Sequence, residues 1–344
     1  MSNQVARQVR RSRKVDGMKR RAFVGMLSAA AAATLPLSRI RRVQAQDGRA
    51  RRVGILAPGP LRPIARFKER LRQHGWREGS NIRFEERWGQ GDDGSYPALA
   101  AELAALPVDL IMTWGTPAVL AAKRASTTIP IVMAAIGDPV GVGAVRSLAR
   151  PGSNVTGFST QNYELEAKRL ELLHEIAPAA TRIVALGNRA NPYSVLAMKL
   201  VSGLAAAARL ELQAVEGDAA HGIDDVLTRL RETRPDAVLI LAIPAFFSYR
   251  REIVEFMAAN RLPAVYPFPE FVEAGGLICY STNFEDLFRQ AADYVDRILR
   301  GAVPGELPVQ QAATFRLIVN LKTAKELGLA IPRAILTRAD EVIE

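Results

Sequence analysis

The chain has 344 residues and a formal net charge of +11, from 46 Lys and Arg against 35 Asp and Glu. Residues 1–45 hold eleven Lys or Arg and one Asp, which leaves the remainder of the chain with a net charge of only +1. A nearly neutral folded part argues against nucleic-acid binding. The single cysteine, Cys279, excludes an internal disulfide, and none of the three histidines has a second His or Cys at metal-ligand spacing. We therefore expect no zinc site, no His-based triad and no cofactor.

The amino-terminal segment has the three parts of an export signal. A twin arginine, Arg20-Arg21, precedes 17 uncharged residues, and Val43-Gln44-Ala45 then offers a cleavage site. Three arginines between the uncharged run and the cleavage site, Arg39, Arg41 and Arg42, favour the twin-arginine export route over the general one. We expect residues 1–45 to be removed and the mature protein to be periplasmic, without a lipid anchor because no cysteine lies near the cleavage site. A retained amino-terminal anchor is the alternative, and translation could begin at either of two methionines, Met1 or Met18.

Downstream of residue 50, short apolar runs alternate with amphipathic stretches of helical period. The first such series predicts strands at 53–57, 82–87, 110–113, 131–134 and 155–157, and helices at 63–74, 96–105, 117–125 and 142–148. Strands that alternate with helices of this length predict a parallel sheet with helices on both faces.

The same alternation restarts after residue 160. It predicts strands at 183–186, 212–215, 238–241, 264–266 and 277–280, and helices at 164–176, 193–208, 223–232 and 249–260. A long amphipathic helix at 284–299, a strand at 315–319 and a helix at 321–327 follow these two series and belong to neither of them. We therefore expect the chain to cross back through a hinge between two lobes. We therefore predict an α/β fold of two doubly wound Rossmann-like lobes joined by a multi-crossing hinge. The predicted lobes are 51–158 plus 282–303, and 159–281 plus 304–337.

Ligands of open α/β sheets bind beyond the carboxyl ends of the strands, so residues that follow the predicted strands are candidates for ligand binding. Thr116 begins a helix whose free amides suit a carboxylate, although it could also only cap that helix. Asp138 suits a ligand ammonium group, although an ordinary Asp-Pro turn is an equal alternative. The predicted ligand-binding residues are Pro58, Gly59, Trp114, Gly115, Thr116, Asp138, Ser159, Asn188, Pro244, Phe268 and Glu270.

Aromatic residues make up only 6% of the chain, yet six of them fall near the ends of predicted strands. This placement predicts a cleft with apolar walls, although half of the six could belong to the cores instead. The sequence contains no Walker A pattern, nucleophile elbow or close pair of acids, which argues against an enzyme. The six aromatic residues are Trp114, Phe158, Phe246, Phe247, Tyr266 and Phe268.

Several stretches, taken in order, resemble the tryptophan/tyrosine-type substrate-binding proteins of ABC importers. They are Gly115-Thr116-Pro117-Ala118, Ile129-Pro130-Ile131-Val132, Asp138-Pro139-Val140, Pro151-Gly152-Ser153-Asn154-Val155-Thr156-Gly157 and, late in the chain, Val319-Asn320-Leu321-Lys322-Thr323-Ala324-Lys325. The resemblance implies a type I periplasmic-binding fold, a small ligand such as an amino acid or organic acid held between two lobes, and an ABC permease as the partner. We expect a monomer. A sensor module that docks on a membrane receptor and an exported α/β enzyme are the alternatives.

Overall fold

The computed structural model describes residues 49–60, 62–217 and 222–344. The expected export signal at residues 1–45 lies outside the described residues. Within the part of the chain that the structure describes, no helix has both the length and the apolar character needed to span a membrane.

The first lobe is built on a six-stranded parallel sheet with the strand order β11-β5-β4-β3-β1-β2. Its three central strands β3, β4 and β5 are buried along their whole length, because helices cover both faces of the sheet. The strands are β1 (Arg51–Ala57), β2 (Ile82–Trp88), β3 (Leu110–Trp114), β4 (Ile131–Ile136), β5 (Val155–Ser159) and β11 (Gln310–Gln311).

Helices on the two faces of this sheet enclose separate apolar cores. On one face, Phe67 of α1 packs against Phe288 of α10, together with residues of the sheet. On the other face, Leu103 of α2 and Val119 of α3 form the second core. The helices are α1 (Pro63–Gln73), α2 (Tyr96–Ala105), α3 (Thr116–Ala125) and α10 (Phe284–Leu299).

The second lobe contains a seven-stranded sheet with the order β13-β12-β10-β9-β8-β6-β7, in which only the β10–β12 pair is antiparallel. Its strands are β6 (Arg182–Gly187), β7 (Glu211–Glu216), β8 (Ala237–Ile240), β9 (Ala264–Tyr266), β10 (Ile278–Thr282), β12 (Phe315–Asn320) and β13 (Glu341–Ile343). The helices are α4 (Asn162–Ile176), α5 (Pro192–Ala207), α6 (Asp224–Thr233), α7 (Pro244–Phe247), α8 (Arg250–Ala259), α9 (Pro269–Glu273), α11 (Leu321–Leu327) and α12 (Arg333–Arg338).

The chain crosses between the lobes three times, after β5, after β10 and after β11. The third crossing differs from the predicted boundary at residue 303, since Gln310 and Gln311 pair with Phe158 and Ser159 of the first sheet. The second lobe therefore resumes with β12 rather than at residue 304. A two-residue strand has no periodicity that a sequence pattern could reveal.

The helix predicted at 142–148 is wrong. Residues 138–150 form turns and bends instead. Gly143 has a φ of 73°, in the left-handed region that interrupts a helix, and the Asp138 side chain closes a turn onto Gly141 N at 2.8 Å.

Candidate functional site

A cavity of about 460 Å³ lies between the carboxyl ends of the two sheets, within the size range of ligand pockets. Both lobes contribute to its wall through residues that follow their strands. The described lining residues are Pro58, Gly59, Pro60, Pro63, Gln90, Trp114, Gly115, Thr116, Ala135, Ile136, Gly137, Thr160, Asn162, Asn191, Tyr193, Ala242, Pro244, Phe247, Ser248, Arg250, Phe268, Glu270 and Phe284.

The two lobes touch across this cavity, which places the molecule in a closed arrangement. Arg62 at the start of α1 forms an ion pair with Glu273 of α9. The backbone of Gly137 in the first lobe lies against the ring of Tyr193 in the second, so that a Cβ on Gly137 would come 2.3 Å from Tyr193 Cδ2. Because these contacts join opposite lobes, they can exist only when the cleft is closed.

Aromatic side chains form the apolar part of the cavity wall. Trp114, at the end of β3, is 3% exposed and packs 5.2 Å from the Phe288 ring, measured between centroids. Across the cleft, Phe268 lies 5.9 Å from Phe247 and 5.6 Å from Phe284. Such a wall suits an aromatic or otherwise apolar group of a ligand.

Five helices of ten or more residues begin at the cavity, because each helix follows the carboxyl end of a strand. The unpaired amides and the dipole at these ends favour negative charge on a ligand. The residues that line the cavity at these five ends are Pro63 of α1, Thr116 of α3, Asn162 of α4, the N-cap Asn191 of α5 and Phe284 of α10.

Glu270 is the only acidic side chain among the described lining residues, and Arg250 is the only basic one. Burial raises the pKa of the Glu270 carboxyl, and the nearby Glu273 carboxylate adds to this effect. Arg250 is engaged locally, since its Nη1 donates to the Phe247 carbonyl at 3.1 Å and its guanidinium lies 4.9 Å from the centre of the Phe247 ring.

A buried polar network supports the wall on the second lobe. Glu166 Oε1 accepts hydrogen bonds from the Tyr193 hydroxyl at 2.7 Å and from Ala242 N at 3.0 Å. Glu166 Oε2 lies 3.0 Å from Arg169 Nη1, and both side chains are fully buried. Arg169 Nη2 in turn donates to Asn162 Oδ1 at 2.9 Å. Burial, together with the Glu166 carboxylate, raises the pKa of the Tyr193 hydroxyl well above its ordinary value, so this group stays a donor.

Eight of the eleven predicted ligand-binding residues line the cavity. They are Pro58, Gly59, Trp114, Gly115, Thr116, Pro244, Phe268 and Glu270. The expectation that Thr116 caps its own helix is wrong in detail: Gly115, with a φ of 82°, is the N-cap residue, and no side-chain bond caps α3. The binding roles of the eight residues stay predictions.

The structure places the other three predicted residues outside the cavity lining. Asp138 is occupied by the turn to Gly141, which is the alternative that its Asp-Pro sequence also allowed. Ser159 Oγ donates to the Gly137 carbonyl at 3.3 Å. Asn188 Oδ1 accepts from Ala190 N at 2.9 Å, and its Nδ2 lies 3.5 Å from Asp93 Oδ2 across the cleft.

The predicted ligand-binding residues leave out several polar lining residues, among them Asn162, Asn191 and Tyr193 of the second lobe. Asn191 lies in the run 188–192 that follows a predicted strand and was a candidate region, and Asn191-Pro192 is in addition a helix-start signal. Asn162 and Tyr193 carry no such signal, since their neighbours in the cavity come from distant parts of the chain.

The profile of a family described as "ABC transporter substrate binding protein" matches residues 55–343. The chain belongs to this family. Its fold is the type I periplasmic-binding fold that the resemblance implied, and the family consists of solute-binding proteins rather than enzymes.

Individual relatives agree with the family assignment. A Clostridioides difficile protein named "Tyrosine-binding protein" is 26% identical over 263 residues, which cover 76% of this chain and 75% of that protein. The crystal structure of a Streptococcus pneumoniae ABC domain in complex with L-Trp is 25% identical, has a TM-score of 0.78 and covers 86% of this chain and 100% of that one. A conserved domain protein from Vibrio cholerae, 27% identical, gives the same TM-score and the same coverage.

Proposed function

We propose that this protein is exported to the periplasm, captures an aromatic amino acid between its two lobes and delivers it to an ABC permease. The observation that carries the proposal is the composition of the inter-lobe cavity. It combines an aromatic wall around Trp114 and Phe268, five helix amino termini that favour a carboxylate, and one acidic side chain, Glu270. The relatives named for tyrosine and solved with L-Trp support the same ligand class.

Glu270 is the partner that we propose for the ligand ammonium group, in place of Asp138. Asp138 is not among the lining residues, whereas Glu270 begins α9 at the cavity wall. A carboxylate removed from bulk water forms a strong charge-assisted hydrogen bond to an ammonium group. The Gly115-Thr116 turn lines the cavity from the opposite lobe, where the amino terminus of α3 adds to the positive potential without a direct contact being assigned to it.

The proposal is tested on protein isolated from the periplasm, with its ligand released by denaturation and identified by mass spectrometry. We expect the amino-terminal sequence to begin at Gln46 and the released compound to be tryptophan, tyrosine or phenylalanine. A mature chain that retains residues 22–38, or a released compound such as a sugar that has neither a carboxylate nor an aromatic ring, would contradict the respective part of the proposal.

Acidification is expected to weaken binding of L-tryptophan. The pKa of Glu270 is raised in the free protein, and an ammonium group beside it lowers that pKa again, so binding releases a proton from the protonated carboxyl. Affinity is therefore full above the raised pKa and falls as the pH drops through it. Calorimetry between neutral and mildly acidic pH measures this slope, and Glu270→Gln should bind more weakly at neutral pH and show a flat profile. An unchanged slope in Glu270→Gln would show that another group binds the ammonium.

A further inference from the structure

Asn191 presents a buried hydrogen-bond donor that lacks an acceptor. As the N-cap of α5, it accepts a hydrogen bond from Tyr193 N on its Oδ1 at 3.1 Å. Its Nδ2 is buried and has no partner among the described residues, while the residue lines the cavity and is 1% exposed. A buried donor without a partner is costly, and an acceptor on a ligand in this cavity would remove that cost.

Asn162 lines the cavity as well, and its amide oxygen is already committed to another partner. A guanidinium group has only donors, so the Asn162 oxygen must face Arg169 Nη2, which lies 2.9 Å away, and its NH₂ group is left for the cavity. Arg169 cannot turn aside, because its Nε donates to the Tyr280 carbonyl at 2.7 Å and its Nη1 pairs with Glu166. Arg169 therefore sets Asn162 as a donor rather than an acceptor.

We propose that the side-chain amides of Asn162 and Asn191 bind the carboxylate of the ligand, and that Arg169 is a positioning residue which orients Asn162. The inference rests on the proposed function and assigns one polar end of the ligand to the second lobe. A carboxylate offers only acceptors and so matches two NH₂ donors, whereas an ammonium group offers only donors and would be rejected there. Both asparagines also stand at the amino ends of long helices, whose dipoles favour the same negative charge.

The same role accounts for the buried pair behind the wall. Burial of two charges is a weak means of stabilising a fold, because desolvation offsets their attraction. Glu166 and Arg169 nevertheless lie directly beneath the cavity and hold three of its lining residues, Tyr193, Ala242 and Asn162. Glu166 and Arg169 are placed there, we infer, because they fix the direction of the hydrogen bonds that the lining residues can make.

Calorimetric titration with L-tryptophan, L-tryptophanamide and tryptamine tests the assignment. Wild type should bind L-tryptophan at least about 100-fold more tightly than the two probes without a carboxylate. Asn191→Asp keeps the size and the capping acceptor but turns the free donor into a charged acceptor, so it should lose about 100-fold or more for L-tryptophan and much less for tryptamine. Asn320→Asp is the matched control, because Asn320 caps α11 of the same lobe through Thr323 N and is not part of the cavity lining.

The double variant Glu166→Gln/Arg169→Met tests the positioning role without leaving a buried charge unpaired. Asn162 can then rotate, so the preference for L-tryptophan over L-tryptophanamide should fall by about tenfold, whereas a merely structural role would weaken all three probes equally. Equal binding of tryptamine and L-tryptophan by wild type, or unchanged affinity of Asn191→Asp, would overturn the inference alone. If wild type bound none of the three probes and no L-tyrosine, the proposed function would fail, and the inference with it.

Discussion

Replacement of Arg169 by methionine is expected to lower the free energy of unfolding by about 3–5 kcal/mol, the cost of leaving one partner of a buried ion pair alone. Arg169 is fully buried, and its loss would leave the Glu166 carboxylate without its ionic partner and the Tyr280 carbonyl without the donor Arg169 Nε. Urea unfolding followed by circular dichroism measures the change.

The variant Glu166→Gln/Arg169→Met is the control for this prediction. Glutamine can still accept hydrogen bonds from the Tyr193 hydroxyl and Ala242 N, and no charge is left in the interior, so most of the lost stability should return. A double variant as unstable as Arg169→Met alone would show that the packing of the arginine, rather than its charge, stabilises the lobe.

Closure of the cleft should be blocked by a single methyl group at Gly137. The backbone φ of Gly137 lies outside the left-handed region, so Gly137→Ala introduces no strain in an open molecule, but its Cβ would lie 2.3 Å from Tyr193 Cδ2 in the closed one. The Tyr193 ring cannot move easily because its hydroxyl is bound to Glu166. Overpacking of this kind costs about 1–3 kcal/mol, so affinity for L-tryptophan should fall by about 10- to 100-fold.

Calorimetry gives the affinity of Gly137→Ala, and small-angle X-ray scattering shows whether L-tryptophan still makes the molecule more compact. Gly203→Ala is the matched control, because Gly203 lies inside α5 with open space around its Cβ position. This control should bind as wild type does and gain slightly in stability from the better helix propensity of alanine. If Gly137→Ala bound L-tryptophan and became compact as wild type does, the contact between Gly137 and Tyr193 could not be part of the closed state.

The sheets and most helices could be predicted from the sequence because their patterns are long and periodic. The strands β4 and β8, for example, are continuous apolar runs that stand out from the amphipathic patterns of the predicted helices. The short elements β11, α7 and α9 are not visible in this way, since two to five residues define no period. The wrong helix at 142–148 arose because apolar spacing outweighed the turn-forming Gly143.

The candidate site was partly predictable because strand ends in open α/β sheets mark where ligands bind. That rule found Trp114 and Phe268 but also selected Asp138, whose carboxylate is used by a local turn. It could not find Asn162, whose role depends on Arg169 two helical turns later and on Tyr280 more than a hundred residues away. Such tertiary hydrogen bonds leave no periodic signal in a single sequence.

A crystal structure of the protein grown with L-tryptophan tests the central claim most directly. We predict electron density for one molecule in the cavity between the lobes, with its indole ring against Trp114 or Phe268, its carboxylate within hydrogen-bonding distance of Asn162 and Asn191, and its ammonium group at Glu270. An empty cavity, or a ligand bound on the outside of either lobe, would contradict the proposal that this chain captures an aromatic amino acid in its cleft.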